Sequence, residues 1–63
     1  MKKSDFEKVL FQHVRLKIGQ RWYYGTIEEV TQRRIKFHTG RTIKKPLFRE
    51  VEEMEIVNVS LVW

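Results

Sequence analysis

Trp22, Tyr23 and Tyr24 stand in a row between Arg21 and Gly25, with Arg15 and Lys17 a few residues upstream. Aromatic rings interleaved with cations can do one recognisable piece of chemistry. A ring stacks on an unpaired base while guanidinium and ammonium groups meet the phosphates. Arg34, Lys36 and Arg41 extend the set. The candidate nucleic-acid contacts are therefore Arg15, Lys17, Arg21, Tyr23, Arg34, Lys36 and Arg41, and the partner they imply is RNA or single-stranded DNA. The same charges also fit an alternative, a protein-interaction or regulatory module whose basic face meets an acidic protein.

Other chemistries lack their residues. There is no cysteine, which excludes disulfides and thiolate metal sites and points to a reducing compartment. His13 and His38 stand alone, without the spacing of a zinc site. The three glycines are too scattered for a phosphate-binding loop. Glu50, Glu52, Glu53 and Glu55 read as a solvated stretch rather than a pair of catalytic carboxylates. The sequence thus predicts a non-enzymatic protein with no metal and no cofactor.

Thirteen Lys and Arg against eight Asp and Glu give a formal charge of +5. Residues 1–49 hold every base and only four of the acids; residues 50–63 hold the other four acids and no base. A basic body with a short acidic segment suits a polyanion, or head-to-tail contact between copies. Lys2 and Lys3 lead into acidic residues and a short apolar run, so no signal peptide is predicted. No apolar stretch approaches the roughly 20 residues of a membrane span. The expectation is a soluble, cytoplasmic protein.

These residues must be positioned by very few elements, because 63 residues make one small domain. Ser4-Asp5-Phe6-Glu7 has the form of a capping box, and Phe6, Val9 and Leu10 follow with helical spacing, which predicts a short helix over about 5–11. Val14, Leu16 and Ile18 then alternate with His13, Arg15 and Lys17, the pattern of a half-buried strand. Gly19-Gln20 is a turn, and a second strand is predicted over about 21–30. Taking Trp22 and Tyr24 as core-facing and Tyr23 as surface-facing puts Ile27 out of phase, so a bulge or bend is expected at Gly25. After a turn at Thr31 to Arg33, Ile35, Phe37 and Thr39 alternate with Arg34, Lys36 and His38. Thr39-Gly40-Arg41 closes a hairpin to a fourth strand over about 42–45, ended by Pro46. Phe48, Val51 and Met54, three apart, suit one helical or 3₁₀ turn. Residues 56–63 alternate strongly and are predicted as the last strand.

The fold class is accordingly all-β: a five-stranded, bent small barrel with a short N-terminal helix and a 3₁₀ turn before the last strand. Its expected core is Phe6, Leu10, Val14, Leu16, Ile18, Ile27, Val30, Ile35, Phe37, Val57, Val59 and Leu61. The last strand carries apolar residues on both faces, Ile56 and Val62 beside Val57, Val59, Leu61 and Trp63. Either the N-terminal helix covers the second face, or another copy does, giving a homo-oligomer through edge strands that include Ile56–Trp63.

Residues 14–37 carry a family resemblance. Val14-x-Leu16-x-x-Gly19, an aromatic at Trp22 or Tyr23, Gly25-x-Ile27, Val30 and then Ile35-x-Phe37 resemble the first motif of Sm-like proteins, within the wider group of Src-homology-3-type small barrels. The resemblance implies the barrel, a nucleic-acid role and ring assembly through edge strands. One extra residue separates the two glycines, Thr31 stands where the family tends to have Asp, and no Asn precedes Ile35. The family's second motif is not recognisable in residues 41–48, so none of its RNA-contacting residues is carried over.

Overall fold

The computed structural model describes residues 1–57. Its elements are α1 (Lys3–Glu7), β1 (His13–Ile18), β2 (Arg21–Val30), β3 (Ile35–Thr39), β4 (Thr42–Lys44), a 3₁₀ turn (Phe48–Glu50) and β5 (Val51–Ile56). The strands form one antiparallel sheet in the order β4-β3-β2-β1-β5, so the protein is all-β with one short helix. Among the described residues the sheet is not closed: β4 and β5 are its two edges. Among the described residues, no helix is long and apolar enough to cross a membrane.

β1 follows its alternation. Val14 and Leu16 are buried, and Arg15 and Lys17 turn to the other face. In the β1–β2 register Leu16 stands opposite Tyr23 and Val14 opposite Gly25. Directly paired residues share a face, so Tyr23, Gly25 and Ile27 line the inner side. Trp22 and Tyr24 stand on the outer side, opposite Lys17 and Arg15. This reverses the expected orientation of all three aromatics. Tyr23 packs against the core, and Tyr24 is 54% exposed.

No bulge lies at Gly25. The β2–β3 register shifts between Ile27 and Glu29 instead, which keeps Ile27 and Val30 on the inner face. Gly25 has a different reason to be glycine. A Cβ there would meet the His38 carbonyl oxygen at 2.2 Å and the Phe37 ring at 3.0 Å. The β3 backbone crosses where a side chain would otherwise stand. Both short hairpin turns use positive φ. Gly19 and Gln20 are both left-handed, at 60° and 67°, as a two-residue turn between twisted strands requires.

The helix is shorter than its spacing predicts. Its N-cap is Lys2, whose amide donates to Asp5 Oδ2 at 2.8 Å, so the cap lies two residues earlier than Ser4 and Glu7. It gives way to turns after Glu7, and Phe11 takes φ +66 while its amide donates to the Ile27 carbonyl at 2.7 Å. Phe6 and Val9 are buried against the sheet, and the Phe6 ring stacks on Phe48 at 5.2 Å.

The core comprises Phe6, Val9, Val14, Leu16, Ile27, Ile35, Phe37 and Val51. Leu10, Ile18, Val30, Tyr23, Phe48 and Met54 pack around it, half-buried. Val51 and Met54 belong to β5 rather than to a helical turn, and only Phe48 of that trio lies in the 3₁₀ turn. The last strand therefore begins at Val51, not Ile56. Val57 is half-buried, its amide donating to the His13 carbonyl at 3.0 Å. The expected strand positions 58–63, with Val59 and Leu61, lie outside the described residues.

Gly25→Ala should destabilise by about 1–3 kcal/mol or more, as overpacking against a fixed backbone does. That is a large part of the roughly 3–5 kcal/mol available to so small a core. Urea unfolding would measure it; a midpoint equal to that of the unsubstituted protein would mean β3 can move aside.

Candidate nucleic-acid interface

The seven expected contacts divide into groups. Arg15 and Lys17 lie at the centre of the outer face, on β1, and neither charge is free. Arg15 Nε donates to Glu55 Oε1 at 2.9 Å, with Nη2 on the same oxygen, and Lys17 Nζ lies 3.5 Å from Glu53 Oε2. Antiparallel pairing sets Glu55 opposite Arg15 and Glu53 opposite Lys17. The acidic stretch, read from the sequence as merely solvated, thus neutralises the strand that carries two of the candidate cations. The Arg15 guanidinium also lies 4.2 Å over the Trp22 ring and reaches the Tyr24 hydroxyl at 3.5 Å. Its pKa is raised, by the Tyr24 contact first and Glu55 second, so it is charged at every working pH.

Tyr23 is on the inner face, where Lys44 Nζ sits 5.0 Å from its ring centre. Arg21 is exposed beside the β1–β2 turn, and Arg41 in the β3–β4 turn. Those two turns lie at the same end of the sheet, since β1 and β3 both run toward it. Lys36 lies toward the other end, opposite Glu29. Arg34 precedes β3 and its Nη1 donates to the Lys45 carbonyl at 2.6 Å. Arg34 and Lys36 therefore do not share a patch with Trp22 or with Tyr23.

What the structure does gather is a run of charge not singled out above. Residues 33–49 contain seven cations, Arg33, Arg34, Lys36, Arg41, Lys44, Lys45 and Arg49, and no acid. The other six cations share the rest of the chain with all eight acids. Among the described residues, none of the seven is in an ion pair. The signal was available from a sliding count of charge, but a division at residue 49 averaged it away.

This segment is folded back on itself. The turn before β3 is fixed by Thr31, whose amide and hydroxyl both donate to the Arg34 carbonyl, at 2.8 and 3.0 Å. The stretch after β4 is then stitched to it: Phe48 N–H to the Arg33 carbonyl at 2.9 Å, Ile35 N–H to the Pro46 carbonyl at 3.2 Å, and Arg34 paired with Leu47. Between the two runs lies an open cleft of about 320 Å³, lined by Gln32, Arg33, Leu47, Phe48 and Arg49. Leu47 and Phe48 give it an apolar surface, and two exposed guanidinium groups flank it. Such a site can take a flat apolar group attached to an anion.

No group of three or more potential metal-ligating side chains occurs among the described residues. Comparison with known protein families, with curated proteins and with solved structures finds no match.

Two double variants separate bound from unbound charge. Arg33→Gln/Arg49→Gln and Arg15→Gln/Lys17→Gln each remove two cations. Only the first should markedly lower the salt needed to elute the protein from heparin, because only it removes unpaired charge. Equal shifts would show that net charge alone governs retention.

Proposed function

We propose that the protein is a non-enzymatic binding module for single-stranded nucleic acid, RNA or DNA. The acid-free segment 33–49 and the cleft beside Phe48 form its principal contact surface. The observation that carries this reading is the run of seven cations, none of them in an ion pair among the described residues, of which Arg33 and Arg49 line an apolar cleft. Holding like charges together costs free energy that a small domain has little of, and a polyanion offsets that cost by releasing its own counter-ions. The apolar cleft adds what phosphate contact lacks, a place for a base. Of the sequence candidates, Arg34, Lys36 and Arg41 lie in this segment.

The small-barrel reading is part of the same proposal. It is supported by a helix ahead of β1, a meander of hairpins from β1 to β4, and a 3₁₀ turn between the two edge strands. The edges differ in sign. Arg41, Lys44 and Lys45 lie on or beside β4; Glu52, Glu53 and Glu55 lie on β5. Opposite charge on two edges that are unpaired among the described residues favours head-to-tail pairing between copies, a contact that closes rings or extends filaments.

Titration into labelled single-stranded RNA and single-stranded DNA at several salt concentrations tests the binding. Affinity should fall steeply with salt, and Arg33→Gln/Arg49→Gln should flatten the slope of log K against log salt by about 1.4, at about 0.7 per lost contact. No binding at low salt would end the proposal, and binding of acidic polypeptides in preference would replace it with the protein-interaction reading. For assembly, light scattering should give a mass above that of one chain, decreasing with dilution and with salt. A single-chain mass throughout would rule edge pairing out.

A further inference from the structure

The cleft is built around one residue. Phe48 lines it and is only half-buried. One face of the Phe48 ring is already occupied: it stacks on Phe6, with the centroids 5.2 Å apart and the planes 21° from parallel. Phe6 is fully buried in the core, so the ring beneath Phe48 is anchored. The backbone is held as well. Phe48 N–H donates to the Arg33 carbonyl at 2.9 Å, and Glu50 N–H donates to the Leu47 carbonyl at 2.9 Å to close the 3₁₀ turn. Both cleft arginines are therefore tied to Phe48 itself, Arg49 through a peptide bond and Arg33 through a hydrogen bond. The acid next to Arg49 in sequence, Glu50, accepts from the Leu47 amide at 2.6 Å and is in no ion pair among the described residues. Leu47 continues the apolar lining, and Gln32 brings one uncharged amide. At about 320 Å³ the opening is near the lower end for ligand sites, so it suits one base and its sugar rather than a run of them.

We infer that the cleft is a one-nucleotide site: a purine stacks on the face of Phe48 turned away from Phe6, and Arg33 and Arg49 meet the phosphates on its two sides. This rests on the nucleic-acid reading and deepens it, naming the class of base and the residue that carries it. A ring already held by a stacked neighbour loses little freedom when a base settles on it, which lowers the ordering cost of binding. Phe6 is thus a positioning residue. A pyrimidine covers little more than the phenyl ring. The second ring of a purine extends the contact over Leu47, and stacking strength sets base preference where edge readout does not. Gln32 offers a donor and an acceptor, a pair that every base can match at its edge, so it adds affinity without choosing among bases.

The test uses a DNA strand of about a dozen nucleotides, within the span one small domain covers, either abasic throughout or abasic except for one central adenine or thymine. The adenine should tighten binding by about 5- to 150-fold, the gain from one stacked base. Thymine should give a smaller gain, and a second adenine should add far less than the first. Phe48→Leu should remove the gain from adenine and leave the abasic strand's affinity unchanged, with circular dichroism and the thermal midpoint reporting whether the variant is folded. Nuclear magnetic resonance on the unsubstituted protein does not depend on that. The base protons of the bound adenine should move upfield and show Overhauser contacts to the Phe48 ring. Contacts to another aromatic and none to Phe48 would overturn the inference, as would a thymine gain equal to that of adenine or a second adenine adding as much as the first. If adenine adds nothing while every strand binds with a steep salt dependence, the stacking site falls and the nucleic-acid reading stands. If no strand binds at low salt, that reading falls, and this inference with it.

Discussion

Leu16 stands opposite Tyr23, and most of the molecule follows from that pairing. It fixes which half of β2 is inside. Gly25 then falls under the β3 backbone, where only a hydrogen fits, and Ile27 meets Phe37 in the core. It also fixes what is outside: Trp22 beside Lys17 and Tyr24 beside Arg15. A slip of one residue would exchange the two sets and bury Tyr24 where Tyr23 now packs. The small core has no spare contacts with which to tolerate that, so the aromatic pattern on the surface is a by-product of the pattern within.

The second organising feature is the separation of charge into a balanced half and an unbalanced one. Across β5 and β1 acids and bases alternate in register, Glu53 with Lys17 and Glu55 with Arg15. These pairs are largely exposed, and such pairs add little to stability. Their larger effect is to remove two cations from the field that a distant polyanion feels. The excess positive charge is then carried by the β3–β4 hairpin and the turns stitched to it. The net charge of +5 is therefore not spread evenly along the chain but concentrated in residues 33–49.

Much of this was legible in the sequence, for identifiable reasons. In β1 and β3, aliphatic residues alternate with charged ones, and such residues have only one comfortable side. Both strands follow directly, and with them four of the eight buried hydrophobic residues, Val14, Leu16, Ile35 and Phe37. β2 was misread because Trp and Tyr are content on either side: each has an apolar body and a polar tip. The unambiguous residue in that strand is Ile27. Counting back from it through Gly25 puts Tyr23 inside with no bulge required, and the glycine then explains itself as a crossing point. β5 was missed for a related reason. Its register shifts beside Ile18, so Val51 and Met54 both face the core at a spacing of three, which mimics a helical turn. The ion pairs could not be seen at all, since they depend on which strand lies beside β1.

The sheet order also has a kinetic meaning. β1 with β2, β2 with β3 and β3 with β4 are each joined by a short turn, so three of the four strand pairings close only small loops. The fourth does not: Arg15 and Glu55 are forty positions apart along the chain. Closing that distance costs the most chain entropy and is rewarded only after the hairpins have formed. The acidic edge strand is therefore the last to dock during folding. Until it does, the cations of β1 have no counter-charge, and the nascent sheet is more strongly basic than the finished one.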